Sequence, residues 1–257
     1  MGNAEVARMV GRYWEQPAPP GLAEAVACLW RIEMSGPGEH RVLPDGCMDL
    51  VWMDGAVYVA GPDSRAFLAR LGPGQLVTGL RFRPGAAPRV LGVPAAALRN
   101  QRVRLEDLWP GATLTQQVAE EPDPAIALAG AVAPRVTQPD FALQVVLTRL
   151  RAGSSVAATA DALGWTERAL HRRCRDAFGY GPSVLRRILR FRSALRLAGQ
   201  GVPFATTAAR AGYADQAHLA REVRALAGVS LSQLIQAQLP SGANRSTPTP
   251  SGSRTTA

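Results

Sequence analysis

The sequence predicts an α+β chain, a β-rich first part followed by an all-α second part. Three observations carry that expectation. From about Ala25 to Phe82 apolar residues come in short or alternating runs punctuated by Gly and Pro, the mark of strands and turns. From Asp140 onward the apolar spacing becomes helical. The charge changes at the same place: residues 1–139 hold 13 Arg and 14 Asp or Glu, whereas residues 140–239 hold 14 Arg and 6 acids. A chain of 257 residues is long enough for two domains of ordinary size.

In chain order, the runs AVACLWRIEM, CMDLVWMDGAVYVAG and GQLVTGLRFRPG read as strands, and Asp-Gly within MDGAV suits the positive dihedrals of a I′ hairpin turn. Between Pro84 and Trp109 short helical pieces are interrupted by Pro88 and Pro94. Prolines 110, 122, 124, 134 and 139 flank an Ala-rich piece, the composition of a connector holding helical fragments. The expected divisions are therefore a β-rich sensing or dimerisation domain over 1–110, a Pro/Ala-rich connector over 111–139, a helical domain over 140–239 and a disordered Ser/Thr/Pro/Gly tail over 240–257.

The helical part opens with FALQVVLTRLRAG, where Phe141, Val145 and Leu147–Thr148 are expected on one face and Gly153 as the stop. Next, Ser154 or Ser155 can cap VAATADAL, and Gly164 supplies a left-handed turn. Thr166 then caps ERALHRRCRDAF, with Ala169, Leu170, Cys174 and Ala177 at core spacing and a basic outer face. The phrase returns 48 residues later up to the turn and 49 after it: FATTAARA, Gly212-Tyr213, then DQAHLAREVRAL with Asp215 as cap and Leu219, Val223 and Leu226 inward. Between the copies, Pro182 to Gly199 reads as one long helix with Val184, Leu185, Ile188, Phe191, Leu195 and Ala198 as its apolar stripe. The sum is two helix-turn-helix units joined by a linker helix.

Composition bounds the function. The net charge of +9 comes from 29 Arg and no Lys, and it resides almost wholly in the doubled stretch, which points to a polyanion such as duplex DNA as partner. Cys28, Cys47 and Cys174 are too few and too scattered for a disulfide framework or a zinc site, so no metal and no cofactor are expected. MGNAEVARMVGRYW has no apolar signal core and no apolar run approaches a membrane span, so a cytoplasmic protein without a membrane partner is expected. No catalytic constellation is present in the sequence.

The residues ALGWTERALHRRCRDAFGYGPSVLRRILRFRSAL and AARAGYADQAHLAREVRALAGVSLSQLI resemble the AraC/XylS family of transcriptional regulators over roughly 140–239. The resemblance implies a seven-helix domain that places a recognition helix of each unit in the major groove of double-stranded DNA. It implies base contacts from Arg168, His171 and Arg172 in the first unit and from Gln216, His218 and Arg221 in the second. Phosphate contacts are expected from Thr166, Arg175, Arg186, Arg187, Arg190 and Arg224. Leu231 departs from the family, which usually has Pro there, and Ser230 can cap the final helix instead. A homodimer and RNA polymerase are further candidate partners.

RVLPDGCMDLVW, VAGP and GLRFRPGAAPRVLGVPAAAL resemble the domain often fused in front of such regulators, which implies a cupin-like β fold and no chemistry. LPDGCMDLVW carries two readings, a small-molecule effector pocket with Asp45, Cys47 and Asp49 at its mouth or a Pro-Asp-Gly turn feeding a core strand. Arg81 and Arg83 beside Phe82 read either as an anion site or as alternation along an edge strand. Two alternative functions stand beside a regulator with a sensing domain. One is a constitutive DNA binder with a dimerisation-only front half. The other is a DNA-alkyl-acceptor repair enzyme using Cys47, which lacks the motifs of that enzyme class.

Overall fold

A computed structural model describes residues 11–110 and 113–238. The tail 240–257 and the start of the chain, on which two of the expectations above fall, lie outside the described residues. Eight strands form two sheets: β1 (Gly11–Pro17), β2 (Val26–Met34), β3 (Gly38–Val42), β4 (Asp49–Met53), β5 (Ala56–Ala60), β6 (Phe67–Leu71), β7 (Leu76–Phe82) and β8 (Arg102–Arg104). Six of them make an antiparallel sheet in the order β1-β2-β7-β4-β5-β8, and β3 pairs with β6 as a separate ribbon. The first part is thus β-rich, as the sequence predicts, and its sheets do not close into a barrel.

One of the expected runs, CMDLVWMDGAVYVAG, forms a tight hairpin. β4 and β5 pair Met53 with Ala56 across Asp54 and Gly55, whose φ values of 52° and 73° are those of the I′ turn. β7 holds the centre between β2 and β4. The edge-strand reading of Arg81 and Arg83 is therefore corrected: the strand is internal and ends at Phe82, so the two arginines do not share one face. β1, β3, β6 and β8 lie outside the expected strand runs, since GRYWEQP, GEHRV and RVR are largely polar and FLARL is only five residues long.

The large sheet has two dressed faces. On one, Leu29, Leu50, Val57, Val59, Leu80 and Phe82 are buried under short helices. These are α1 (Ala87–Leu91), α2 (Leu105–Leu108), α3 (Leu114–Glu120) and α4 (Pro124–Val132), which contribute Leu91, Leu105, Val118 and Leu128. The Ala-rich stretch between the prolines thus covers the sheet. On the other face, Trp30, Ile32, Met34 and Val77 meet Leu71 of the ribbon. Side chains alternate along a strand, so Val26 would fall on the Trp30 face; a bulge between Val26 and Cys28 moves it to the Leu29 face, where it is fully buried. Trp30 lies flat over Gly79, and its Nε1 donates to Asp49 at 2.9 Å.

Seven helices follow: α5 (Phe141–Arg151), α6 (Val156–Asp161), α7 (Glu167–Phe178), α8 (Pro182–Gly199), α9 (Phe204–Arg210), α10 (Gln216–Ala227) and α11 (Leu231–Gln238). They enclose two cores, one per unit, both built on α8: Leu185 and Ile188 serve the first, Phe191 and Leu195 the second. Two helix faces differ from expectation. In α5 the inward set is Leu143, Val146, Leu147 and Leu150, while Phe141 and Val145 are exposed. In α8 Val184 is exposed. Among the described residues no helix is long and apolar enough to cross a membrane.

A methyl group on Gly79 would lie 2.2 Å from the Trp30 ring. Gly79→Ala is expected to lower stability by about 1–3 kcal/mol through overpacking, read as a lower urea midpoint at unchanged slope.

Candidate nucleic-acid interface

The two helical units repeat bond for bond. α6 ends with Trp165 N–H donating to the carbonyl of Ala160 at 3.0 Å, over a Gly164 with φ of 65°. α9 ends with Tyr213 N–H donating to the carbonyl of Ala208 at 2.9 Å, over a Gly212 with φ of 78°. Both turns require a left-handed residue, which Gly adopts without steric cost. A fully buried threonine sits at the same place in each first helix, Thr159 and Thr207, with its hydroxyl donating to an upstream carbonyl, Ser155 O and Val202 O respectively. Each second helix is capped from its own turn. Thr166 Oγ1 accepts from Ala169 N–H, and Asp215 Oδ1 accepts from His218 N–H, each satisfying an otherwise unpaired first-turn donor. Ser230 and Gln233 form a reciprocal capping box at α11, so the chain starts that helix without the proline.

The inward residues of α7 and α10 are those the spacing indicates: Leu170, Cys174 and Ala177 in one, Leu219, Val223 and Leu226 in the other. Arg168, His171, Arg172 and Arg175 are exposed on α7, and Gln216, Arg221 and Arg224 on α10. None of these arginines forms an ion pair among the described residues. The two histidines are more committed. His171 is exposed but its ring lies against Gly181, where a Cβ would come within 2.5 Å of Nε2. His218 is half-buried, meets the Tyr213 ring edge-on at 5.3 Å and accepts from Ala214 N–H through Nδ1.

The linker-helix arginines divide. Arg186 is half-buried and forms no ion pair among the described residues. Arg187 donates to both carboxylate oxygens of Glu222 on α10, at 2.7 and 3.2 Å. Arg190 lies 4.4 Å above the Tyr213 ring, reaches Glu222 at 3.7 Å and donates to Gly212 O. Both therefore tie α8 to the second unit. These hydrogen bonds hold the Glu222 carboxyl below its usual range.

The C-terminal ends of both second helices meet the first domain. Gly179, left-handed at the end of α7, lies against Pro62 so closely that a Cβ would come within 2.4 Å, and Gly85 lies against the Phe178 ring. At α10 the exposed carbonyls find partners in the ribbon: Leu226 O accepts from Ala66 N–H at 2.7 Å, and Ala227 O accepts from the Arg41 guanidinium at 2.8 Å. A cation there also complements the negative end of the helix dipole. Leu43 packs on the second helical core, and a Cβ on Gly46 would lie 3.8 Å from Leu185 and from Tyr180 Oη. The sequence held no signal for Arg41, Ala66 or Pro62, because their partners lie more than a hundred residues away.

The expected effector-pocket residues separate. Asp49 and Arg81 line a cavity of about 500 Å³ between the large sheet and the ribbon, with Arg81 donating to both oxygens of Asp49 at 3.2 Å. Asp45 instead shapes the Pro-Asp-Gly turn by accepting from Cys47 N–H at 2.8 Å, and Arg83 bonds the carbonyl of Ala23 on the surface. Burial and the Asp45 carboxylate push the Cys47 thiol well up, the reverse of what a nucleophilic thiolate needs.

Residues 159–237 match the family model of a helix-turn-helix domain, and residues 15–104 match a domain of unknown function (DUF6597). No curated protein matches the chain. Among solved structures, ToxT from Vibrio cholerae (P21 form) is similar at 10% identity and a TM-score of 0.43, covering 88% of this chain and 97% of that one. Unsaturated fatty acid-bound ToxT from V. cholerae strain SCE256 is 10% identical at a TM-score of 0.45, covering 91% and 97%.

The Arg187–Glu222 pair yields a pH prediction. An acid whose folded pKa is depressed below its ordinary 4.5 stabilises the fold above that pH, and loses the effect as pH falls through the lower folded value. Glu222→Gln is expected to be less stable than the parent by about 1 kcal/mol at pH 7, with the gap closing as pH falls below 4.5 in paired thermal melts.

Proposed function

Because the C-terminal part of this chain is a helix-turn-helix domain of the AraC type, we propose that the protein is a sequence-specific DNA-binding transcription regulator whose α7 and α10 enter successive major-groove segments of one duplex. The observation that supports it best is the bond-for-bond repetition of the two units on a single rod. α8 has 18 residues, a length of about 27 Å, and the Arg187–Glu222 bridge fixes the second unit to it. Two readers held rigidly apart suit grooves that recur about every 34 Å along the duplex.

In this reading Arg172 and Arg221 are the main base readers, since a guanidinium can donate twice to guanine O6 and N7. Arg168 and Gln216 flank them, at the helix starts that lie deepest in a groove. His171 and His218 touch DNA from positions already fixed by Gly181 and Tyr213. Thr166, Arg175, Arg186 and Arg224 contact phosphates, and the capped helix starts offer N–H groups to the same anions. Arg187 and Arg190 act by holding α8 to α10 rather than by free contact. The first domain senses a small molecule in the cavity under the ribbon and holds the helical part by the ends of α7 and α10.

Selection of bound duplexes from a random pool with the full chain is expected to enrich a long, non-palindromic site with two conserved segments. Arg172→Ala should relax one segment and Arg221→Ala the other, each costing about 1–3 kcal/mol at the selected site. Failure to enrich any sequence, or full affinity in both variants, overturns the reading. Arg186→Ala should instead weaken binding evenly across sequences and lower the salt slope by about 1.

A further inference from the structure

The cavity under the ribbon allows its ligand to be described chemically. Its walls come from both sheets. Tyr13, Trp30, Tyr58 and Phe67 give it four aromatic faces, and aliphatic side chains fill most of the rest. At about 500 Å³ it is of the size that encloses a small organic molecule.

Each charged group on its wall is already matched within the protein. Arg81 is bound twice by Asp49 and has Asp45 and Glu15 at 3.9 Å. Arg102 is bound twice by Asp63, at 3.1 and 2.6 Å, and lies 4.1 Å over the Phe67 ring. Arg70 pairs with Glu39 out in solvent. An ion entering this space would lose its hydration and find no free counter-charge, which is costly in an apolar surround. His40, on β3, also lines the cavity, with its Nδ1 covered by protein and without a hydrogen bond. Burial and the nearby Arg81 charge both favour its neutral form.

The same wall leads to the DNA-binding part. His40 precedes Arg41, the residue that holds Ala227 O, and Phe67 follows Ala66, whose N–H holds Leu226 O. The ribbon shares no backbone ladder with the large sheet. It is held by Leu71 at one end and by the end of α10 at the other, with the cavity between.

Resting on the reading of the chain as a DNA-binding regulator with a sensing domain, we propose that this cavity takes an uncharged, largely aromatic molecule, and that filling it stiffens the β3–β6 ribbon and so its grip on the C-terminal end of α10. An apolar ligand adds contacts between ribbon and sheet beyond those of Leu71, Ala69 and the Arg102–Phe67 stack. Stiffening reaches α10 through the bonds at Ala66 and Arg41.

The test uses the full-length protein and a matched pair of probes: 4-phenylphenol, uncharged with one hydroxyl, and 4-phenylbenzoate, the same rings with a carboxylate. Calorimetry is expected to show one saturable site for the phenol, at least tenfold tighter than for the carboxylate. Ala69→Phe, which fills the cavity from β6, should abolish binding. Hydrogen exchange of the Ala66 amide should slow when the phenol is bound. Absent binding, equal affinity for both probes, or affinity untouched by Ala69→Phe overturns the ligand assignment. An Ala66 amide that is unchanged or faster in the bound protein overturns the coupling. None of these readouts involves DNA, so they stand or fall separately from the duplex selection, and loss of duplex binding with these results intact would indict only the DNA reading.

Discussion

The carbonyl end of α10 is the constraint on which the arrangement turns. The last carbonyls of a helix have no partner within the helix, and here two of them are satisfied from outside, by the Ala66 amide and the Arg41 guanidinium. Breaking that contact would leave polar groups to be resolvated and Leu43 uncovered on the second core. The matching end of α7 is fixed differently, by shape: Gly179 against Pro62 and Phe178 against Gly85. The two ends of the recognition helices thus rest on the first domain, while their capped starts, at Thr166 and Asp215, point the other way along each helix and stay exposed. In the proposed reading, the first domain and the DNA therefore meet opposite ends of the same two helices.

Rigidity between the units has its own source. α8 contributes core residues to both, so neither unit is complete without it. Glu222 draws Arg187 and Arg190 onto one side of that rod, and Tyr213 provides the surface on which Arg190 lies. Two of the fourteen arginines that mark this region in the sequence are thus structural, and those of α7, α10 and Arg186 are among the ones that form no ion pair among the described residues. A count of arginines cannot separate the two roles, because the partner that claims Arg187 is a glutamate 35 residues away.

The sequence was legible where structure is local. The doubled helix pattern, the caps at Ser155, Thr166, Asp215 and Ser230, the left-handed turns and the Asp54-Gly55 hairpin each depend on a few consecutive residues, and each stands where the pattern indicates. Legibility failed where burial is decided at a distance. Phe141 looks like a core residue, but Asp140 caps α5 in a phase that turns Phe141 outward. The short strands β3 and β6 are strands only because each finds the other across 25 residues and more of chain. Asp45 and Asp49 both face Arg81, the first at 3.9 Å from a turn that uses its other oxygen, the second in a two-bond pair from an inward strand position, and of the two Asp49 lines the cavity.

The docking of helix ends onto the ribbon and onto Pro62 also decides what covalent continuity is for. The stretch from Val136 to Pro139 joins the halves, yet the contacts that seat them are spread over Arg41, Gly46, Ala66, Gly85 and Gly179, far from that joint in the chain. A molecule severed there would keep its seams closed, each fragment supplying the surface the other lacks. The peptide link sets the stoichiometry of the two fragments; their mutual fit is written into residues that never approach it in sequence.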